Sequence, residues 1–336
     1  MENKAIDLVQ LLCDEHILQR FEIVNFGVQI IQEIRDRFII SKISIKNEAV
    51  YLIKNARNIE SSKALHKEWS VYKYLTHHNV LHTIVPRLIL DECKESLIVI
   101  EWINGENSIT SSLDREKVLI LMAQNLAKLH IYTSKVTNIV DDTIKTWIIE
   151  NLSKEEEWNK FSYLETHIEE KDKKEIIRGM QDANNQWESN ALIHGDFKWE
   201  HCLITKYLDK SYIQFIDWEL STYGDSAWDV ACILSDIIFD QHYMKITYPK
   251  TIFEILMSQH IDIFLKNYCH ETTCNDDFLE RVSIFCAARL FQTYLELVTV
   301  YGWEDKESKV KLLLSLSLDI FKNIDLVSDI IKQKII

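Results

Sequence analysis

Leu192–Ile204 reads LIHGDFKWEHCLI, and Ile213–Asp236 reads IQFIDWELSTYGDSAWDVACILSD. The first stretch carries His194, an isolated Asp196, and His201 five residues after that aspartate. The second carries Asp217, which closes the apolar run Ile213-Gln214-Phe215-Ile216, and Asp229 about a dozen residues beyond it. Phosphoryl transfer calls for this inventory: one carboxylate to meet a hydroxyl, two side chains to hold a metal ion, and a brace for the loop between them.

Three motifs stand in order: His194-Gly195-Asp196, Ile216-Asp217-Trp218-Glu219, and Gly224-Asp225-Ser226-Ala227-Trp228-Asp229. They resemble the superfamily of aminoglycoside and macrolide phosphotransferases and choline kinase, small-molecule kinases with a protein-kinase-like fold. The five-residue step from Asp196 to His201 is the step from base to metal ligand in a kinase catalytic loop. The resemblance is specific around 192–236 and extends over roughly 20–305. It implies a bilobal α+β fold, with a β-rich nucleotide lobe and hinge over 1–104 and a mostly helical catalytic and acceptor-binding lobe over 105–336. It implies transfer of the γ-phosphoryl of ATP or GTP to a small-molecule hydroxyl. In that reading Asp196 meets the hydroxyl and Asp217 and His201 hold Mg²⁺, while His194 and Asp229 support the loop. Lys198 either neutralises the transferring group or points to solvent. The family more often carries Asn at the position of His201, although macrolide phosphotransferases carry His. Magnesium prefers oxygen ligands, so the imidazole implies looser Mg²⁺ binding or better tolerance of Mn²⁺. His201 and the thin glycine loop also leave open a non-catalytic nucleotide-binding protein.

The N-terminal half reads as a helix over 5–19 and then as β-branched alternation: Phe21–Asn25, Gln29–Ile34, Phe38–Ile45 and Ala49–Lys54, with a turn at Lys46-Asn47-Glu48. Val50, Leu52 and Lys54 share one strand face, which lets an ammonium reach a phosphate while its stem packs. The next helix, Ser62–Thr76 with Ser62 as N-cap, places Glu68 at the edge of its apolar face, where the family pairs a glutamate with the strand lysine. A glycine-rich phosphate loop is absent; Gly27 is one site for close backbone approach and the turn at Arg35-Asp36 is its rival. Arg87–Asp91 and Leu97–Glu101 read as strands. Leu97–Gly105 resembles the family hinge, which would make Glu101 and Ile103 the backbone contacts to a purine.

In the C-terminal half, 113–131 is helical and His130 reads as a structural hydrogen-bonder. Residues 145–188 read as a charged, aromatic helical segment, and Lys309–Ile335 as one closing helix. On the helix Asp225–Asp240, Asp229, Asp236 and Asp240 fall within about 20° of one line, so Asp236 and Asp240 either line an acceptor pocket or form a solvated face.

With 38 basic against 52 acidic side chains, the formal charge is −14, which disfavours nucleic acid and suits a cationic acceptor. An antibiotic of macrolide or aminoglycoside type is the first reading, and choline or an amino sugar the second. Seven cysteines without a C-x-x-C suggest free thiols in the cytoplasm, with Cys269, His270 and Cys274 more plausibly adjacent by chance than as a metal cluster. No apolar run is long enough to span a membrane, and the first residues lack the pattern of a signal peptide.

Overall fold

The computed structural model describes residues 2–92, 96–140, 145–158, 160, 168–208, 210–240, 251–301 and 307–335. In chain order the N-terminal elements are α1 (Glu2–Asp14), α2 (Arg20–Phe26), β1 (Val28–Ile34), β2 (Phe38–Ile45), β3 (Glu48–Ala56), α3 (Ile59–His77), β4 (Leu97–Glu101) and β5 (Glu106–Asn107). Then follow α4 (Arg115–Thr133), α5 (Trp147–Leu152), α6 (Glu155–Trp158), α7 (Glu170–Gln186), β6 (Ala191–Ile193), β7 (Cys202–Tyr207), β8 (Lys210–Phe215) and β9 (Thr222–Gly224). The last elements are α8 (Ser226–Phe239), α9 (Ile252–Leu256), α10 (Gln259–Glu271), α11 (Asp276–Tyr301), α12 (Glu307–Lys322) and α13 (Ile324–Gln333).

The chain divides into two compact units. Unit 1 takes Met1–Ser112, Ile139–Asp141 and Glu200–Ser221; unit 2 takes Leu113–Asn138, Asp142–Trp199 and Thr222–Ile336. The hairpin β7–β8, flanked by His201 and Asp217, pairs with β5 in a separate three-stranded sheet and belongs to unit 1.

Unit 1 is built on a four-stranded antiparallel sheet in the order β1-β2-β3-β4. Lys46 and Asn47 both take positive φ, 53° and 67°, which a two-residue hairpin needs to follow the strand twist. Strand alternation gives the sheet two jobs. Ile43, Ile53, Leu97 and Val99 pack with Leu8, Leu12 and Leu18 into one core. The alternate residues Ile40, Leu52, Lys54 and Ile100 line a cavity. Two expected strands are absent. Phe21–Asn25 is helical, because Gln19 and Glu22 form a reciprocal capping box and Gly27 ends the turn at φ 71°. Within Arg87–Asp91, only Leu88 forms a bridge, to Ile100. Helix α3 begins earlier than expected, capped by Asn58 and Ser61 rather than by Ser62.

Unit 2 is helical around α8, whose residues are buried on all sides except at Asp236 and its last turn. Such a helix belongs in the centre of a domain. Helix α11 packs along α8 and against α12 and α13. The expected closing helix is two helices, broken at Asn323. The segment 145–188 resolves into α5, α6 and α7, with 159 and 161–167 outside the described residues. Cys269 and Cys274 are joined in a disulfide, which corrects the expectation of free thiols for that pair and closes off a metal cluster there. Among the described residues, Cys13, Cys202, Cys232 and Cys286 stand outside any disulfide, and Cys93 lies outside the described residues. No helix among the described residues is long and apolar enough to cross a membrane.

Candidate active site

In unit 1 the cavity measures about 660 Å³ and is lined by Leu52, Lys54, Glu68, Glu101, Ile103 and Asp217, among others. Lys54 Nζ donates to Glu68 Oε2 at 2.8 Å and to Asp217 Oδ1 at 2.7 Å, and lies 3.7 Å from Glu219 Oε2. Lysine and Glu68 are nearly covered, with side chains 8% and 3% exposed. Burial opposes the ammonium's charge, but Glu68, Asp217 and Glu219 outweigh it and hold the lysine above its ordinary pKa. The Glu68 carboxyl is pushed up to about 7, first by burial; Lys54 pulls it back and Asp217 pushes it further up. One ammonium thus serves three carboxylates, and Arg37 takes a share of Glu219 at 3.0 Å.

Asp217 sits at φ 67°, a left-handed conformation that aspartate tolerates better than most residues. Its Oδ2 lies 3.5 Å from His201 Nε2. The pairing of β7 with β8 brings the two together, and the His201 carbonyl accepts from the Ile216 N–H at 3.0 Å. A carboxylate oxygen and an imidazole nitrogen side by side, beside an excess of carboxylate over ammonium, would suit a divalent cation, although no cluster of three or more such side chains occurs among the described residues.

At the end of β4, the Glu101 N–H donates to the Arg87 carbonyl and the Trp102 N–H to the Val50 carbonyl, each at 2.9 Å. Gly27 is not part of the cavity wall. The β1–β2 turn, Arg35-Asp36-Arg37, lines it instead.

In unit 2, Gly195 takes φ 82°, so the loop after β6 needs glycine there. Asp229, fully buried on α8, accepts from the N–H of His194 at 2.7 Å and from that of Gly195 at 3.0 Å. His130 Nε2 lies 3.3 Å from the same carboxylate, and His130 Nδ1 meets the Tyr268 hydroxyl at 2.8 Å. Trp228 Nε1 donates to the Gly195 carbonyl at 2.9 Å. The His194 ring packs edge-on against Phe197.

Asp196 carries two cations: Arg289 Nη2 at 2.6 Å from Oδ1 and Lys198 Nζ at 3.1 Å from Oδ2. Lys198 therefore turns to the aspartate. The two further aspartates of α8 also have internal partners. Asp236 Oδ2 accepts from the Trp199 N–H at 2.8 Å, and Asp240 Oδ2 from Arg115 Nη1 at 2.6 Å. Glu219, Arg37 and Arg289 had no assigned role in the sequence. Glu219 stood inside a quoted motif, and Arg289 opens the run Arg289–Tyr294, which resembles the family's late helix near the active site, although its pairing with Asp196 spans 93 residues and was not foreseen.

The profile of the phosphotransferase enzyme family matches residues 41–245, more than half of the chain. No curated protein matches in sequence. Among solved structures, a choline kinase from Cryptosporidium parvum aligns over 98% of each chain with TM-score 0.62 and 17% identity. A Plasmodium vivax ethanolamine kinase covers 94% of this chain and 89% of its own, with TM-score 0.61 and 15% identity. An ADP-bound aminoglycoside phosphotransferase covers 91% of this chain and 97% of its own, with TM-score 0.57 and 15% identity. At these identities the structural likeness shows a shared fold.

Proposed function

The chain belongs to that phosphotransferase family, a small-molecule kinase acting on a hydroxyl, and we propose that it moves the γ-phosphoryl of ATP or GTP onto a small amine-bearing alcohol in the cytoplasm. The observation that carries the reading is the Lys54–Glu68–Asp217 cluster on the wall of the unit 1 cavity. A fixed lysine beside a covered glutamate presents a positioned ammonium to nucleotide phosphates. Glu101 and Ile103 offer backbone groups to the purine edge. Asp217 and His201 would hold Mg²⁺ or Mn²⁺, which when bound shields charge on the phosphates.

Asp196 orients the acceptor hydroxyl by accepting its hydrogen bond and takes its proton late. Asp229 keeps the loop in shape by occupying two of its N–H groups. Lys198 supplies positive charge beside the reacting oxygen.

An aminoglycoside or macrolide antibiotic is the first acceptor class, and choline or an amino sugar the second. The supporting consideration is chemical: choline, ethanolamine and the aminoglycosides named for the structural relatives all join a hydroxyl to a cationic nitrogen. The test is an assay of purified protein with ATP and GTP, Mg²⁺ and Mn²⁺, and a panel containing kanamycin, erythromycin, choline and glucosamine. Phosphorylated product from one of these sustains the proposal. Nucleotide binding with no transfer to any of them would favour a non-catalytic nucleotide-binding protein.

A further inference from the structure

Asp196 is held from a distant part of the sequence. Arg289 comes from the middle of α11, and its guanidinium is 8% exposed. A guanidinium so covered is strongly destabilising unless it is paired, so the contact with Asp196 Oδ1 is a fixed part of the fold. Behind it, Arg289 Nη1 lies 3.6 Å from Glu296 Oε1, and Gln292 Nε2 donates to that same oxygen at 2.8 Å. Residues 289, 292 and 296 recur at helical spacing, so one face of α11 forms the strap. Lys198 differs in kind, with its side chain 27% exposed on a flexible stem.

We propose that Arg289 is a positioning residue for phosphoryl transfer: it fixes Oδ1 of Asp196, so that Oδ2, beside the more exposed Lys198, is the oxygen that receives the acceptor hydroxyl. This rests on Asp196 being the residue that meets the acceptor. In the step itself the acceptor oxygen bonds to the γ-phosphorus as the bond to the bridging oxygen breaks. The nucleoside diphosphate leaves, and the hydroxyl proton passes to Asp196 Oδ2. A carboxylate held at Oδ1 cannot rotate away as this occurs, and fixed geometry of this kind is worth much of a barrier.

The charged and titratable groups around Asp196 and its clamp are Lys198 on its own loop, Asp229, Cys232 and Asp236 on α8, and Arg289 and Glu296 on α11. Burial opposes the Arg289 charge, but the carboxylates of Asp196, Glu296 and Asp236 hold its pKa above the ordinary value, so it stays cationic throughout the working range.

The test uses the full-length protein with ¹³C-labelled aspartate carboxyls, titrated by NMR as wild type, Arg289→Gln and Arg289→Lys, with Asp196→Asn assigning the resonance. Steady-state transfer from Mg·ATP to kanamycin and to choline is measured alongside. In Arg289→Gln the Asp196 midpoint should rise by about a unit or more, since an opposite charge has been removed. The acidic limb of kcat should move the same way. Arg289→Lys should keep the midpoint near wild type yet lose kcat roughly tenfold or more, with KM for Mg·ATP unchanged, because it keeps the charge and loses the rigid fork. A folded Arg289→Gln with wild-type midpoint and kcat would overturn the proposal. If that variant does not fold, Arg289→Lys decides, and wild-type kcat in it overturns the proposal as well. Failure of the kinase reading looks different: the wild type transfers phosphate to no acceptor while the NMR coupling between Arg289 and Asp196 persists.

Discussion

Lys54 Nζ stands 2.8 Å from Glu68 and 2.7 Å from Asp217, and this crowding makes the chemistry of single residues testable. Burial, helped by Asp217 and opposed by Lys54, holds the folded-state pKa of Glu68 at about 7 against the usual 4.5. The folded state therefore keeps a proton that the unfolded chain gives up between those values. The stability it brings is complete below about 4.5 and is lost as pH rises through 7. Glu68→Gln should flatten the decline of Tm between roughly pH 5 and 8, and a slope equal to wild type would show that Glu68 does not carry it. Asp217→Ala should remove metal-dependent nucleotide affinity in calorimetry, with unchanged Mg·ATP binding as the contrary result. Asp196→Asn should fold and bind nucleotide normally while turnover falls on the order of 10²-fold, and near-normal turnover would remove Asp196 from its role. Strand alternation and helical spacing placed Lys54 and Glu68 on the right faces, but their pairing was an expectation from the family resemblance rather than from local rules. The partner of Arg289 was not legible, because it is set by packing within unit 2.

At the scale of elements, one carboxylate on α8 organises the loop that precedes it in sequence. Asp229→Ala would leave the His194 and Gly195 N–H groups buried without their acceptor, at about 1–3 kcal/mol for each such group. A large fall in Tm is expected, together with loss of turnover. A loss of turnover alone, with Tm unchanged, would mean that the loop is held by other contacts. The same scale shows where pattern reading stops. Phe21–Asn25 carries Ile23 and Val24, residues suited to a strand, yet Gln19, Glu22 and Gly27 cap it as a helix. Local capping outweighed β-propensity there. The acidic line on α8 was drawn correctly in angle, but its meaning depended on what packs against it. Helix α8 is buried except at Asp236 and its last turn, and Asp229, Asp236 and Asp240 meet loop N–H groups and Arg115.

For the whole molecule, the formal charge of −14 sets a field that attracts cations and repels anions. The proposed cationic acceptor gains from that field before it makes any contact, so its kcat/KM should fall several-fold between roughly 50 and 500 mM KCl, as the screening length contracts below about 10 Å. A neutral alcohol of similar size should show little salt dependence. Direct contacts can be separated from the field with Asp236→Asn and Asp240→Asn. Each removes one unit of charge, but each also disturbs an internal partner, Trp199 N–H or Arg115. If these carboxylates touch the acceptor, its KM rises in the variants while KM for the nucleotide holds. If they only brace the fold, Tm falls and the acceptor KM does not move. Salt-insensitive turnover of kanamycin and choline, or a neutral alcohol used as well as either, would set the cationic acceptor aside and leave the phosphotransferase chemistry standing.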